Sequence, residues 1–306
     1  MNKKKIALIA AACVAFIALV VVIICVSGSK KDPFKGLPVQ GIAAGEYHTS
    51  VLYEDGTVAT VGGKNELLAY ESSKWTDVAA IAAGADFTAV LLDNGFVQTT
   101  TGFEGNTTFW RNIVQIAAGP KHLVGLCEDG TVITAGDTKN TAKYAVEEWT
   151  DIIAVTAGDR FTAGLKADGT VVVAGALGAD VSDWKNITAI AAGYDHLVGL
   201  NKNGKVVAAG AAKADYYTDL GWKGVKAIAA GKEITVAIKN NGSVLVAGDN
   251  KLGRTAADKW SDCIAVSCGL YHTVGVEADG TLLSTEVISS VAQNMLGQDN
   301  VESLQK

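Results

Sequence analysis

Residues 190–210 read IAAGYDHLVGLNKNGKVVAAG, and the same pattern recurs along the whole chain. A glycine that closes an Ala-Ala-Gly-like run is followed, always eleven residues later, by the glycine of an Asp-Gly or Asn-Gly pair. The glycine pairs are Gly45/Gly56, Gly84/Gly95, Gly119/Gly130, Gly158/Gly169, Gly193/Gly204, Gly231/Gly242 and Gly269/Gly280. Recurrence at fixed spacing indicates a chain built from seven copies of one supersecondary unit.

Tryptophans mark the same register. They stand nine residues before the next repeat glycine, at Trp75, Trp110, Trp149, Trp184, Trp222 and Trp260, and Gly36 takes that place in the first unit. Successive repeat glycines are 35 to 39 residues apart, and the length differences fall mainly just before each tryptophan. We therefore expect one loop of variable length in each unit.

Within a unit the sequence predicts short strands joined by tight turns. β-Branched residues such as Val132 and Val171 stand two residues after the turn glycine, where they suit a pleated, buried surface. Pairs such as Asn203-Gly204 supply the positive φ angles that hairpin turns require. Units of about 40 residues with three or four strands predict an all-β fold, a seven-bladed β-propeller over residues 36–285. An open β-solenoid is the alternative.

Both ends of the repeat region are incomplete. The first unit lacks its tryptophan, and the seventh ends at Ser284-Thr285 without the glycine that closes other units, as at Gly175 and Gly210. Two incomplete ends suggest that one blade is assembled from both ends of the chain. Residues 286–306 begin with the apolar Val287 and Ile288, and we expect them to supply a closing strand followed by a tail.

The beginning of the chain predicts a membrane segment. Ile6 to Val26 is a run of 21 apolar or small residues with lysines on both sides. About 20 such residues span a bilayer, whereas the apolar part of a signal peptide has about 7 to 15. We expect a short basic cytoplasmic end at 1–5, an uncleaved transmembrane signal anchor at 6–26, a linker at 27–35 and an extracytoplasmic propeller. Cleavage near Ser27-Gly28, which would release a secreted protein, is the alternative.

The charge of the remaining chain narrows the class of partner. After residue 35 there are 20 basic and 31 acidic residues, a net charge of −11. Such a surface repels phosphate backbones and anionic headgroups, so we expect no nucleic acid and no membrane contact beyond the anchor. Cys127, Cys263 and Cys268 show no metal-like or redox spacing, and no cofactor is predicted.

All the histidines share one position, three residues after a repeat glycine in alternate units: His48, His122, His196 and His272. Stacked sheets lie about 10 Å apart and Zn–N bonds are about 2.0 to 2.1 Å, so histidines on alternate blades cannot share one ion. The other units have apolar residues there, namely Phe87, Phe161 and Ile234. We therefore predict a structural slot and no metal site, and blade packing for the tryptophans.

The combination Ile-Ala-Ala-Gly-x-x-His, Asp-Gly-Thr-Val and Ala-Gly, clearest in residues 116–136 and 190–210, resembles the repeat of the regulator of chromosome condensation family. The resemblance covers about residues 36–285 and implies a seven-bladed propeller that binds proteins. The short units are more similar to the secreted bacterial branch, which includes β-lactamase-inhibitory propellers. That branch usually has Ala-Trp-Gly where this chain has Ala-Gly, as at Ala174-Gly175, so the resemblance implies no particular partner.

The two residues between the repeat glycine and the histidine slot vary from unit to unit. Rotational repetition places all seven of these variable pairs at one end of the ring, where binding loops are expected. Tyrosine and arginine among acidic residues are typical of protein interfaces. The candidate binding residues are Tyr47, Asp86, Lys121, Arg160, Tyr194, Asp195, Lys232 and Tyr271. A merely solvated ring of loops is the alternative.

The longer loops before the tryptophans offer a second candidate surface. Their aromatic and basic residues are Tyr70, Phe103, Tyr144, Tyr216, Tyr217 and Arg254. The sequence alone leaves open which of the two surfaces binds.

Nothing in the sequence predicts catalysis. Alanine pairs such as Ala43-Ala44 and Ala117-Ala118 predict a small, apolar lining at the ring axis. The chain has no phosphate-binding loop, metal triad or Ser/His/Asp order, so we predict a non-catalytic, protein-binding propeller. The alternatives are a lectin-like binder of cell-wall glycan, and a hydrolase or lyase that uses loop carboxylates such as Asp86 and Asp195. An extracytoplasmic domain would not meet a small GTPase, which disfavours nucleotide exchange.

Overall fold

A computed structural model of the chain describes residues 39–63, 67–137, 145–210, 220–249 and 254–285. They form seven three-stranded sheets, a short helix α1 (Leu67–Ser72) and a 3-10 helix (Arg254–Lys259). The apolar run at 6–26 and the closing segment at 286–306 lie outside the described residues. In the part of the chain that is described, neither helix has the length and apolar character needed to cross a bilayer.

Each blade is an antiparallel meander of three strands in chain order. The first strands are β1 (Val39–Ala44), β4 (Val78–Ala83), β7 (Ile113–Ala118), β10 (Ile152–Ala157), β13 (Ile187–Ala192), β16 (Val225–Gly231) and β19 (Cys263–Cys268). The second strands are β2 (His48–Tyr53), β5 (Thr88–Leu92), β8 (His122–Cys127), β11 (Phe161–Lys166), β14 (His196–Asn201), β17 (Ile234–Lys239) and β20 (Thr273–Glu277). The third strands are β3 (Val58–Gly62), β6 (Val97–Thr99), β9 (Val132–Gly136), β12 (Val171–Gly175), β15 (Val206–Gly210), β18 (Val244–Gly248) and β21 (Leu282–Ser284).

The first strands form the inner wall of a closed ring. Each contacts the first strand of the next blade, and β19 of the seventh blade contacts β1 of the first. Closure leaves no terminal blade face to be capped, in contrast to an open solenoid. The prediction of an all-β, seven-bladed propeller is therefore confirmed, with three described strands in every blade.

In the hairpin turns between second and third strands, the glycine supplies the positive φ angle and the residue before it supplies a hydrogen-bond acceptor. In the turn of the first blade, Gly56 has φ 75° while the carboxylate of Asp55 accepts a 3.0 Å hydrogen bond from the backbone N–H of Thr57. The same arrangement recurs at Asp129 and Asp168. Only the glycine adopts a positive φ, so the acidic residue is selected for its side-chain oxygen, as in an Asx-turn.

A second turn geometry recurs two residues after each tryptophan, and the repeat spacing described above did not predict it. These positions have φ between 52° and 58° when they are not glycine: Asp77, Asn112, Asp151, Asn186 and Asp262. Gly224 takes the same place in the sixth blade, with φ 67°. The recurring Asp, Asn or Gly at this spacing is the sequence signal, because these residues tolerate the left-handed region best.

The tryptophans pack between neighbouring blades, as predicted. Trp149 is buried among Val124 and Leu126 of the third blade and Ile152 of the fourth. A Cβ added at Gly164 would lie 2.9 Å from Cζ3 of the Trp149 ring, so this strand position must stay small. Similar contacts join other glycine and tryptophan pairs, namely Gly125 with Trp110, Gly199 with Trp184 and Gly275 with Trp260.

The histidine slot joins each blade to the next. Nε2 of His48 lies 3.0 Å from Oγ1 of Thr88 in the second blade. Equivalent bonds join His122 to Thr162, His196 to Thr235 and His272 to Thr49. Where the slot holds phenylalanine, the matching residue of the next blade is leucine, so Phe87 packs in one cluster with Leu123, and Phe161 with Leu197.

Three of these buried histidines, His48, His196 and His272, are held in the neutral state. Burial lowers the pKa of His48 and His196 to about 4, and that of His272 to about 3. Desolvation disfavours a charged imidazolium, while a neutral ring can still pair with a threonine hydroxyl. The structural role predicted for the slot is confirmed by this pairing.

Candidate protein-binding face

The two ends of the ring differ in character. We call the end that carries the loops between first and second strands the mouth face, and the end that carries the Asp-Gly and Asn-Gly turns the turn face. All eight candidate binding residues lie in loops of the mouth face, because every one of them stands between a first and a second strand. The structure therefore places them at one end of the ring, and their part in binding stays a prediction.

The backbone of these loops is fixed toward the channel. The N–H of Glu46 donates to the carbonyl of Gly84 in the next blade at 3.1 Å, and the N–H of Tyr194 donates to the carbonyl of Gly231 at 3.2 Å. A Cβ added at Gly269 would collide with the carbonyl oxygen of Gly45. The repeat glycines are thus required by the close approach of neighbouring loops.

The same loops are also fixed on their outer side. The carbonyl of Tyr47 accepts a 2.6 Å hydrogen bond from the N–H of Gly63, just after β3. The carbonyls of Lys121 and Arg160 accept equivalent bonds from Asp137 and Ala176. Because the backbone is bonded on both sides, the side chains of the variable pairs can change without changing the loop.

The structure divides each variable pair into an inner and an outer position. The inner residues line the mouth of the central channel, as Glu46, Ala85, Pro120, Tyr194, Lys232 and Leu270. Of the candidates, Tyr194 and Lys232 hold inner positions. The other candidates hold the outer position: Tyr47, Asp86, Lys121, Arg160, Asp195 and Tyr271. The sequence treats both positions alike, and only the curvature of the ring separates them.

Two tyrosines meet where the ring closes. The rings of Tyr47 in the first blade and Tyr271 in the seventh have centroids 5.6 Å apart and an interplanar angle of 42°. Burial, a hydrogen bond to Tyr271 and the nearby Glu46 carboxylate all raise the pKa of Tyr47. The pair remains half-buried, so it offers ring area and hydroxyl groups in one place, a combination enriched in protein interfaces.

A mixed cluster lies across the mouth on the fourth to sixth blades. Nη2 of Arg160 lies 3.7 Å from Oδ1 of Asp195, with both side chains about half exposed. Nζ of Lys232 lies 5.5 Å from the ring centroid of Tyr194. Burial is the main cause that raises the pKa of Tyr194, followed by the carboxylate of Asp159. Exposed ion pairs of this kind contribute little to stability, so these charges are better suited to contacts with a partner.

The channel below the mouth is lined by small residues and by side chains that join neighbouring blades. Alanines of the first strands line it, as predicted, together with a few polar side chains. Oε1 of Gln115 accepts from the N–H of Val155 in the next blade, and Oγ of Ser267 accepts from the N–H of Ala44. These polar groups therefore accept hydrogen bonds from backbone N–H groups of the first strand in a neighbouring blade. Among the described residues there is no group of His, Cys, Asp and Glu side chains that could hold a metal ion.

The second candidate surface is only partly described. Tyr70 on α1 is 60% exposed, and Nζ of Lys74 lies 3.7 Å from the centroid of its ring. Phe103 instead packs against Phe87, with ring centroids 4.7 Å apart, and belongs to the core between blades. The remaining candidates lie outside the described residues and side chains: Tyr144, Tyr216, Tyr217 and the side chain of Arg254.

One blade matches a known repeat model. Residues 187–212 match the model of the regulator of chromosome condensation (RCC1) repeat, and they contain the three described strands of the fifth blade. The fifth blade matches an RCC1 repeat. A search of curated protein sequences found no significant match. The secreted bacterial branch, to which the short units are similar, stays a prediction.

Solved structures resemble this seven-bladed propeller in fold. The CRINKLY WD40 ectodomain of the Arabidopsis thaliana receptor kinase ACR4 has 18% identity and a TM-score of 0.64, covering 83% of this chain and 98% of that one. Yeast RCC1 (Prp20), solved with Kap60 bound, has 18% identity and a TM-score of 0.59, covering 87% and 83%. Prp20p from Saccharomyces cerevisiae, described with its binding to Gsp1p and histones, has 18% identity and a TM-score of 0.58, covering 87% and 85%.

Proposed function

We propose that this RCC1-repeat propeller is a non-catalytic protein-binding module, displayed on the outer side of the cytoplasmic membrane, whose mouth face contacts a protein partner. The observation that carries the proposal is the fixed loop frame with variable side chains. Backbone hydrogen bonds join four neighbouring pairs of these loops, and residues from the loops line one shared channel mouth. Variation on a rigid scaffold is where recognition usually lies.

The composition of the mouth face supports a protein partner. Half-buried tyrosines at Tyr47 and Tyr271 face a mixed-charge cluster around Arg160 and Asp195. Preformed aromatic contacts lose little side-chain entropy on binding, and a mixture of charges gives specificity. Prp20, a structural relative, is described with Kap60, Gsp1p and histones, all of them proteins. The tryptophans pack between blades, which does not favour a lectin-like function.

Quantitative capture from an envelope extract tests the mouth face. The full-length protein and a Tyr47→Ala/Tyr271→Ala variant are used as baits, and captured proteins are compared by mass spectrometry. We expect at least one protein to be depleted about tenfold or more with the variant, because interface aromatics commonly contribute more than about 1 kcal/mol each. A matched control, Asp183→Ala/Lys259→Ala, changes two exposed residues on the opposite end of the ring and should capture as much as the parent protein.

Equal capture of every protein by the parent and the tyrosine variant would contradict binding through this part of the mouth. Circular dichroism and thermal unfolding of both variants establish that the propeller is folded. If the tyrosine variant does not fold, the capture is repeated with Tyr47→Phe/Tyr271→Phe, which keeps the rings in contact and removes only the hydroxyl groups.

Membrane display rests on the apolar run at 6–26 and has its own test. We expect the full-length protein to sediment with membranes and to resist carbonate extraction, whereas the chain from residue 36 onward should be soluble. Protease added outside intact cells should digest the propeller. Recovery of the full-length protein in the soluble cytoplasmic fraction would contradict this part of the proposal and leave the mouth-face test unaffected.

A further inference from the structure

Two aromatic residues on the turn face depart from the repeat. The residue after the turn glycine is polar or charged in six units and phenylalanine in one: Thr57, Phe96, Thr131, Thr170, Lys205, Ser243 and Thr281. The residue before the tryptophan position is charged or glycine in six units and phenylalanine in one: Lys35, Lys74, Phe109, Glu148, Asp183, Gly221 and Lys259. Both departures occur at the junction of the second and third blades.

The fold places these two positions side by side. The N–H of Ile113 donates to the carbonyl of Gly95, and Oγ1 of Thr107 donates to the carbonyl of Val97, so the segment before the third blade runs along the turn that carries Phe96. The guanidinium carbon of Arg111 lies 4.2 Å from the centroid of the Phe96 ring. Phe96, Phe109 and Arg111 therefore form one surface patch, which we call the Phe96 patch.

The Phe96 patch is open to solvent. Phe109 is 84% exposed and Phe96 is 38% exposed, among only four large hydrophobic side chains of the described residues that are this exposed. Nη1 of Arg111 donates to the backbone carbonyls of Thr108 and Trp110 at 2.7 Å, which holds the guanidinium beside the rings. Phenylalanine and arginine are both enriched in protein interfaces relative to the rest of the surface.

Phenylalanine at position 96 exchanges a hydrogen bond of the turn for a contact with Arg111. In the neighbouring turns the hydroxyl of Thr131 donates to Asp129 at 2.6 Å, and that of Thr170 donates to Asp168 at 2.6 Å. Phe96 gives up this hydroxyl bond and keeps only the bond from its N–H to Oδ1 of Asn94. The ring contacts Arg111 but stays 38% exposed, so its open face is available to a contact outside the chain.

Charge around the patch specifies the partner. The segments bonded beside the patch carry exposed carboxylates: the N–H of Asp93 donates to the carbonyl of Asp77, and the N–H of Glu128, next to Asp129, donates to the carbonyl of Asn112. Hydrogen bonds from Thr131 hold the pKa of Asp129 below its usual value, so this carboxylate stays ionised. An apolar centre with an acidic rim complements a segment that carries an apolar anchor beside lysine or arginine, and it repels anionic lipid.

We propose that the Phe96 patch is a second protein-docking surface, on the turn face, for a basic segment with an apolar or aromatic anchor. The site is distinct from the mouth face and lies at the opposite end of the same blades. A propeller with one binding surface at each end would bring two partners together.

Selection of peptides on the immobilised full-length protein tests the proposal. A phage-displayed library of random peptides is the probe, and eluted peptides are synthesised and measured by fluorescence anisotropy. We expect enrichment of peptides that combine lysine or arginine with an apolar residue, and a loss of affinity of about tenfold or more in Phe109→Glu and Phe96→Thr. Affinity should be unchanged in the mouth variant Tyr47→Ala/Tyr271→Ala. It should also be unchanged in Glu148→Ala, which replaces the residue equivalent to Phe109 at the junction of the third and fourth blades.

Thermal unfolding separates docking from a structural role. Phe96→Thr should be about as stable as the parent, because the hydroxyl bond found in neighbouring turns offsets the lost contact between Phe96 and Arg111. The proposal is overturned if the variants unfold at lower temperature in proportion to their loss of affinity, if selected peptides are acidic, or if their binding is unaffected by both substitutions. Preferential binding of phosphatidylglycerol vesicles that Phe109→Glu abolishes would also overturn it, in favour of a membrane contact.

Discussion

Nε2 of His272 lies 2.7 Å from Oγ1 of Thr49, a hydrogen bond between residues 223 positions apart that joins the seventh blade to the first. The two residues are buried, and His48, which bonds onward to Thr88, lies in the first blade beside them. Histidine and apolar slots alternate along the chain, and seven is odd. Two histidine blades must therefore be neighbours once in the ring, and this occurs at its closure.

A phenylalanine and leucine pair should be able to replace His272 and Thr49 where the ring closes. Thr49→Leu leaves the buried imidazole of His272 without its hydroxyl partner, and we expect a loss of about 1–3 kcal/mol in the free energy of unfolding. Adding His272→Phe should recover most of the loss, since Phe87 with Leu123 and Phe161 with Leu197 already use this combination. Urea unfolding of the single and double variants measures the coupling, and strictly additive losses would refute the pairing.

Acid should weaken the ring before the carboxylates titrate. An unfolded histidine has a pKa of about 6.5, whereas the folded pKa is about 4 for His48 and His196 and about 3 for His272. The unfolded state therefore binds more protons between these values, so stability is complete above pH 6.5 and falls as the pH drops toward 4. We expect each of these histidines to contribute on the order of 2–3 kcal/mol to this decline.

Urea unfolding midpoints measured from pH 7.5 to 4.5 check this dependence. The variant His196→Phe/Thr235→Leu removes one titrating group while keeping a slot combination that the chain already uses. Its stability should fall less steeply over this range. A decline identical to that of the parent protein would assign the effect to other groups.

The repeat glycines of the mouth are expected to be sensitive for a steric reason. Gly269→Ala places a methyl group against the carbonyl oxygen of Gly45, and we expect a loss of about 3 kcal/mol or more. Gly280→Ala, on the turn face, has φ +91° but open space around the new Cβ, so only the backbone preference is lost, about 1 kcal/mol. Thermal unfolding of the two variants should rank them in this order, and the reverse order would contradict the close packing of the loops.

The positions two residues after the tryptophans should favour residues that tolerate a left-handed backbone and disfavour β-branched ones. Asn186 has φ 56°, and the sixth blade has Gly224 at the same place. We expect Asn186→Gly to change stability little and Asn186→Val to cost about 1–2 kcal/mol, because a β-branched residue avoids this region. Chemical unfolding measures both, and equal stability of the two variants would show that the φ angle imposes no cost there.

Part of the candidate site was predictable from particular residues. The spacing of Gly193 and Gly204 predicts one inner loop and one outer turn per blade, which places Tyr194 and Asp195 on the mouth face. It does not predict that Tyr194 lines the channel and Asp195 pairs with Arg160, because these positions depend on the angle between blades. Phe96 and Phe109 stand thirteen residues apart in the sequence, and only the path of the chain around Gly95 joins them.

The sequence by itself determined the number of blades, the order of strands and the turns, because these depend on contacts within a unit that is copied seven times. The tertiary structure alone decided how one unit meets the next: the histidine and threonine pairs, the closure between the first and seventh blades, and the division of the mouth into inner and outer positions. Those features depend on contacts between residues about 40 or more positions apart, which no local pattern records.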